Sequence, residues 1–568
     1  MKPFRVLLVS NVRPSRSWNF ANRITREVPG VTICGIVQRP LPSIPTIQRH
    51  IANREMREPF DSDGWLSEAR LFFRSVLQKL IGFLLWFVHG CPGDLSNQGR
   101  FTTNTLGKEC ARAGWPLLVT VDTNWRDTPD FIRHDPIDLV IQLGEFPSSR
   151  DLPFNSSNGC IRASRRDNEG GSSGPKSGTL VRIERLTQDS QTPCTIASVS
   201  LPWQPYDGVF GFTLKADLIA DDLLLQTAAS LLKGDPASTP TVVQQWAERI
   251  LAPSLAQFQK VSNHTSQDGQ FSRQCRSKWK LCLDTLLLFS PWMLVRNWYR
   301  RCKRRCPVLI LAHHLVSDRP HRMAMSTEVF LQQILFLQKH YRIASLSEAV
   351  GLLRSGQIRI PTVVLTFDDG YGDNFLNLRA VANEMGIPST LFITTDPVET
   401  HREFNHDLDT GITGFFPLTW DQIRYWSPRG AEFGSHTRTH MDCGCVDPEN
   451  LQSEIIGSRN DLEAHLKKPV GFFAFPYGQH DNMSSEAMHL AASTYKHFVS
   501  SFGGESLSKV KGPQSHLFRK KFYASQWELE LELQSVFDFV DGVRRSILHR
   551  ATNSPNSLEA SPAGPVRP

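Results

Sequence analysis

The sequence predicts an α/β protein made of two α/β domains with a helical joint between them. Three observations carry this reading. The chain has 568 residues, room for more than one hydrophobic core. Strand and helix signals alternate along residues 1–235 and again along 306–525. The stretch between them, 236–305, holds helical patterns and few strand signals. With 40% hydrophobic and 21% charged residues, the balance is that of a globular protein and excludes wholesale disorder.

The elements follow in order. Residues 6–9 read as a buried first strand, since the apolar run is too short for a signal-peptide core and Asn11 and Arg13 follow at once. Further strands are expected at 31–37, 117–121 and 139–143, whose compact apolar runs suit a parallel sheet buried on both faces. Helices are expected at 17–28, 105–113 and 218–232, and a Ser-, Gly- and Arg-rich loop at 156–178. In the joint, two or three helices flank a polar patch at 262–274. The second half predicts strands at 308–312, 363–367, 389–394, 432–434 and 472–475. Residues 526–568 are expected to form a C-terminal helix and a tail, disordered from Ala551 onward by its Ser, Pro and Ala content.

Charge and cysteine narrow the function classes. Lys plus Arg is 63 against 56 Asp plus Glu, a net +7 that is mild at this length and gives no reason to expect nucleic acid. Eleven cysteines, an odd number without a Cys-x-x-Cys pair, argue for reduced thiols and a cytoplasmic protein. The apolar stretches 80–88 and 281–295 are short of the roughly 18 residues a membrane span needs. The second is edged by Lys278, Lys280, Arg296, Arg300, Arg301, Lys303, Arg304 and Arg305. Residues 278–305 therefore read either as a solvated inter-domain helix or as a peripheral contact at the inner face of a membrane.

Chemistry is concentrated in the second half. Thr366-Phe367-Asp368-Asp369-Gly370 ends a strand with two adjacent carboxylates, which cannot both ionise comfortably without a cation nearby. A bound ion takes one as ligand and leaves the other as base. Ser435-His436-Thr437-Arg438-Thr439-His440 spaces two histidines four apart, which on a helical turn puts both imidazoles on one side of a metal ion. One carboxylate and two histidines leave positions open, as catalytic sites do. Phe473-Ala474-Phe475-Pro476-Tyr477-Gly478 is another strand ending in a turn, where backbone N–H groups can face an oxyanion. Singly, these motifs are a turn, a surface histidine pair and another turn. Their order, each after an apolar strand, makes them specific.

On these motifs, residues 306–525 resemble the polysaccharide deacetylase family, also called the NodB homology domain or carbohydrate esterase family 4. LILAHHLVSD, SLSEAVGLL and GIPSTLFITT around them resemble it too. The resemblance implies a distorted (β/α) barrel, commonly of seven strands, with the site at the C-terminal strand ends. It implies Asp369, His436 and His440 as ligands of a divalent metal, zinc first, with cobalt or manganese as alternatives. It implies Asp368 as general base, the Tyr477 N–H at the oxyanion, and an N-acylated, most simply N-acetylated, amino-sugar glycan as substrate. For the general acid, many members use a Leu-x-His motif, matched here only by Ile547-Leu548-His549. The biofilm poly-N-acetylglucosamine deacetylases use an earlier segment, similar to Leu311-Ala312-His313-His314, which makes His314 the acid candidate. The family's third-motif arginine has no counterpart near Ala474, leaving the tuning of Asp368 without a partner. Tyr371, Asp373 and Asn374 are further cleft candidates. Asp442, Cys443 and Cys445 follow His440, with cysteine as a minor ligand option.

The opening strand, residues 138–144 and the helix text LKADLIADDLLLQTAASLL resemble the formyltransferase fold. That family expects an Asn-x-His pair where Arg162 and Ser164 stand in Gly159-Cys160-Ile161-Arg162-Ala163-Ser164. The first half is therefore expected to be a degenerate domain that transfers no formyl group, with a sugar nucleotide, a lipid-linked sugar or a protein as possible ligand. An N-formyl amino sugar is an alternative substrate for the second half. A non-catalytic glycan-binding or assembly role is the alternative to catalysis.

Overall fold

The computed structural model describes residues 3–38, 103–119, 136–144, 156–167, 178–187, 193–204, 206–233, 238–259, 278–444, 447–501, 503–506 and 516–538. The apolar stretch 80–88, the patch 262–274, Cys445, His549 and the tail lie outside them.

The first half is one sheet. Its strands are β1 (Phe4–Ser10), β2 (Val31–Gln38), β3 (Leu117–Val119), β4 (Leu139–Leu143), β5 (Cys160–Asp167), β6 (Gly178–Leu186) and β7 (Cys194–Pro202). They lie in the order β3-β2-β1-β4-β5-β6-β7, parallel from β3 to β5 and antiparallel through β5, β6 and β7. Alternate residues of β1 enter different clusters: Val6 and Leu8 on one face, Leu7 and Val9 on the other. This two-faced burial is what a continuous apolar run requires.

The loop expected at 156–178 is corrected, because residues 160–167 form β5. The charged composition hid a strand whose polar side chains are paired. Arg162 Nε (2.9 Å) and Ser164 Oγ (2.8 Å) both donate to Glu184 on β6. Arg162 and Ser164 are thus ladder residues. The following helix spans Val209–Leu232, nine residues longer at its start than its apolar periodicity indicated. It is buried along most of its length between the sheet and the second half.

The joint holds four described helices, Thr239–Ile250, Ala252–Gln259, Lys278–Leu288 and Pro291–Cys302, where two or three were expected. The first two are not a loose connector. Val243, Trp246, Ile250 and Leu255 enter the same core cluster as residues of both halves. Gln422 Nε2 donates to Ile250 O (3.0 Å) and Ser254 Oγ (2.9 Å). No helix among the described residues is long and apolar enough to cross a membrane.

The second half closes on itself. After β8 (Val308–His313) come a two-residue pair, β9 (Leu315–Val316) and β10 (Ala324–Met325), and then β11 (Arg342–Ala344). The later strands are β12 (Thr362–Phe367), β13 (Ser389–Ile393), β14 (Ala431–Ser435), β15 (Phe472–Ala474), β16 (His497–Ser500) and β17 (His516–Lys521). β12 through β17 run in order, β17 pairs β8, and β8 pairs β12, all parallel: a barrel of seven strands with β11 appended to β12. Val308, Ile310, Val364, Phe392, Ala474, Val499 and Leu517, from six of these strands, meet in one cluster that fills the interior. Helices between strands start on side-chain caps, as at Ser326, Ser345, Ser484 and the Thr419–Gln422 capping box.

Candidate active site

The three sequence motifs sit where parallel strands end. After β12 the chain reverses through two left-handed residues, Asp369 (φ 69°) and Gly370 (φ 91°). A Cβ on Gly370 would stand 2.8 Å from Ile393 Cδ1, so glycine fits both the conformation and the space. After β14, His436 to His440 form a tight loop, not the helical turn expected from their spacing, with Thr437 at φ 66° and His440 at φ 63°. Glu454 pins that loop by accepting from Arg438 N and Thr439 N, both at 2.9 Å. The loop still brings the two imidazoles together, ring centroids 5.1 Å apart. Asp369, Thr437, His440 and Tyr477 all hold positive φ without being glycine, a concentration of strain typical of functional sites.

Asp369 is the centre of the arrangement. Its Oδ1 lies 3.5 Å from His436 Nε2 and 3.3 Å from His440 Nε2, and the three ligand atoms all lie within 4.8 Å of one another. Ligands held about 2.0–2.2 Å from one ion stand roughly 3.3–3.6 Å apart at tetrahedral corners, and both carboxylate–imidazole distances meet that spacing. Both carboxylate oxygens of Asp369 are buried without a hydrogen-bond partner. Burial, then the charges of Asp368 and Asp407, push its carboxyl well above the usual range. A cation would relieve all three defects. His436 Nδ1 donates to Ala474 O at 2.8 Å, which leaves Nε2 as the ligand atom. Burial, with His436 and His406 nearby, holds His440 neutral; burial does the same for His436.

Asp368 is the opposite case. Burial pushes its carboxyl up, but Arg519, His436 and His314 outweigh this and bring it down to about 2. Arg519 Nη1 contacts Asp368 Oδ1 at 2.6 Å, and the guanidinium is fully buried. Its other N–H groups reach Ser500 O (3.3 Å) and Ser501 Oγ (2.9 Å). The arginine missing near Ala474 is thus supplied from β17, a strand whose cationic text His516–Lys521 gave no strand signal.

His314 is brought to the site, next to Asp368 and His436, and burial drives its imidazole down to about 3. Asn374 Nδ2 holds its carbonyl at 2.9 Å. His313 turns away and donates from Nε2 to Leu315 O at 3.0 Å. Tyr477 is half exposed, with its ring edge against His440 at 5.0 Å. Asp373 and Asn374 do not line the cleft; both are buried beneath it, Asp373 pairing with Arg319 and Ser317. Tyr371 donates to Asp407 Oδ2 at 2.7 Å and meets His406 Nε2 at 2.9 Å. Cys443 is buried with its thiol toward Met441 O, outside the ligand trio.

His406, unremarked in the sequence, stands with Nε2 3.7 Å from Asp369 Oδ2 and its ring 4.8 Å from that of His440. It comes from the four-residue helix Asn405–Leu408, and no spacing pattern pointed to it. Beside it opens a cavity of about 280 Å³, lined by Arg402, Phe404, His406, Thr439, His440 and Tyr477 among others. This is the size for one sugar ring, below the roughly 300–1,000 Å³ of drug-sized pockets.

A parallel barrel with a carboxylate, two imidazoles and a separately ionised carboxylate at its strand ends defines a barrel hydrolase. Residues 356–495 match the family model described as polysaccharide deacetylase. A Bacillus subtilis protein, YxkH, named as a polysaccharide deacetylase, is 24% identical over 125 residues, 22% of this chain. The match spans 40% of that relative's length. Among solved structures, the Streptococcus pyogenes deacetylase PplD, in complex with acetate, is 20% identical, with 40% of this chain and 98% of that one covered at a TM-score of 0.34. IcaB from Ammonifex degensii is 19% identical, with 40% and 97% covered at 0.34.

Proposed function

We propose that this protein is a metal-dependent hydrolase that removes an N-acyl group, most simply N-acetyl, from an amino sugar of a glycan or lipid-linked glycan precursor. The observation that carries the reading is Asp369: a buried carboxylate with two unpartnered oxygens, faced by two neutral imidazoles. Asp369, His436 and His440 would hold the ion, and a mixed imidazole–carboxylate set with an open position suits zinc, with cobalt or manganese as substitutes. When bound, such an ion supplies Lewis acidity, which makes water acidic enough to ionise near neutral pH.

The chain supplies the rest. Asp368, kept ionised by Arg519, accepts a proton from the attacking water. Water oxygen adds to the amide carbon, and the Tyr477 N–H, which has no acceptor among the described residues, faces the oxyanion. The C–N bond then breaks, and the departing amine takes a proton. His314, neutral and within the field of Asp368, would carry that proton from Asp368 to the amine.

The test is metal content plus acetate release from N-acetylglucosamine oligomers. Asp369→Ala is expected to lose the metal, and Asp368→Asn to keep it while losing turnover. No bound metal, and no activity after adding zinc, cobalt or manganese, would sink the proposal. Formate release from an N-formyl sugar, without acetate release, would select the deformylase alternative. A purely glycan-binding role has no use for an ionised Asp368 beside an ion site.

Peripheral contact with a membrane surface is supported by residues 283–305. The helices Lys278–Leu288 and Pro291–Cys302 pack Leu288 and Met293 against Leu531 and Val536. Their other side leaves Leu283, Leu286, Trp292, Val295 and Trp298 exposed, Leu286 by 70%. Exposed Lys303, Arg304 and Arg305 adjoin them. Arg296 and Arg300 are instead used internally, on Gln534 O and Glu505. Flotation with anionic phosphatidylglycerol vesicles, lost in Trp292→Ala/Trp298→Ala, is the expected result. A wild-type protein that stays with the soluble fraction refutes the location.

A further inference from the structure

Where the two halves meet, two ion-pair networks differ in balance. In one, Arg13, Arg16 and Arg165 face Asp217, Asp221 and Glu384, three cations against three carboxylates. In the other, Arg23, Arg26, Arg379 and Arg429 share two carboxylates, Asp222 and Glu27. Arg379 has only 6% of its side chain exposed, and its Nε and Nη1 have no hydrogen-bond partner. The faces of Phe375 (4.1 Å) and Tyr425 (5.3 Å) meet its guanidinium but supply no counter-charge. Excess buried charge is unfavourable unless an anion neutralises it.

These four arginines line one cavity of about 310 Å³, together with Asn19, Asn22 and Trp426. Its walls come from the helix Pro14–Glu27 in the first half and from the helix Asn377–Met385 and residues 426–430 in the second. It shares no lining residue with the cavity beside His406 and His440, so its ligand is not the group being hydrolysed. We propose that this junction cavity binds a phosphate-bearing small molecule, such as a sugar phosphate or nucleotide. Four guanidiniums against two carboxylates match the charge of phosphate oxygens, and the volume takes a phosphate with one ring. Asn19 and Asn22 donate one amide hydrogen each to Asn383 O and Trp18 O, which leaves each a second as a neutral donor. Because the walls belong to both halves, the bound anion would clamp them together.

The probe is inorganic pyrophosphate, titrated into the full-length protein by calorimetry at fixed ionic strength, with the melting temperature followed in parallel. Saturable binding and a raised Tm are expected. Arg26 is 57% exposed, so Arg26→Glu should fold and should weaken binding by tenfold or more, while acetate release stays unchanged. Lys339→Glu, an equal charge change on another surface, should leave binding intact. Arg379→Met should abolish binding if it folds. Absence of saturable binding to the wild type overturns the proposal. So does equal affinity in Arg26→Glu, equal weakening in Lys339→Glu, or a tighter fit for citrate than for pyrophosphate.

Discussion

Replacing Arg519 by methionine removes the charge that ionises Asp368 and keeps most of the side chain's volume. The pair is 2.6 Å long, with Arg519 fully buried and Asp368 5% exposed, so solvent does little to replace the lost partner. Asp368 sits at about 2 against an ordinary 3.8, and at 1.36 kcal/mol per unit that shift is on the order of 2 kcal/mol. The full loss is larger, because burial alone would push the carboxyl above its ordinary value, and breaking one side of a buried pair costs about 3–5 kcal/mol. The sign follows from the depressed pKa. This contribution is present above the unfolded-state value and is lost as pH falls from about 4 through about 2. In Arg519→Met the loss begins at higher pH, and the acidic limb of acetate release moves up with it. Urea unfolding and a pH–rate profile read both effects. Asp368→Asn/Arg519→Met should recover part of the stability but no activity, since the unpaired charge is gone along with the base. Wild-type activity in Arg519→Met with an unmoved acidic limb would refute the reasoning.

Further outcomes are expected. Asp222→Asn leaves Arg23 and Arg379 without their shared carboxylate at the junction, and a loss of about 3–5 kcal/mol should appear in urea unfolding. Gly434→Ala puts a Cβ 2.6 Å from Phe392 Cε1 and 2.9 Å from Phe472 O inside the barrel, so a drop of about 1–3 kcal/mol in stability is expected. Tyr371→Phe removes the hydroxyl between Asp407 and His406 and should cost about 1–2 kcal/mol, with reduced turnover because His406 loses its hold beside Asp369. In chelator, Asp369 keeps a raised carboxyl pKa, so its stabilising contribution is present below the unfolded value and lost as pH rises through the folded one. The melting temperature relative to Asp369→Asn should therefore fall with rising pH in chelator and recover when zinc is added.

Residues whose placement is written locally were legible. The apolar runs of β1, β2, β4, β8 and β12 announced themselves, and the strand-end motifs brought Asp369, His436 and His440 to one point with Asp368 near them. What stayed hidden depends on partners distant in the chain. β5 looked like a loop because its charges are answered on β6 and on the helix Val209–Leu232. The histidine pair was read as helical from spacing alone, whereas left-handed residues and Glu454 shape the loop. His406 reaches Asp369 from 37 positions further along the chain, with no periodicity between them. The paired first helices of the joint looked like a connector because their apolar partners lie in both halves.

β17 has a consequence in time. It is the strand that closes the barrel, and its Arg519 lies 151 positions after the carboxylate it ionises. During synthesis, every other barrel strand leaves the ribosome first, at about 5–20 residues per second. Asp368, Asp369 and both histidines are therefore in hand before Asp368 can be held charged. On the proposed mechanism, activity waits for the barrel wall to be finished, and a nascent chain halted before residue 516 is expected to be silent toward its substrate.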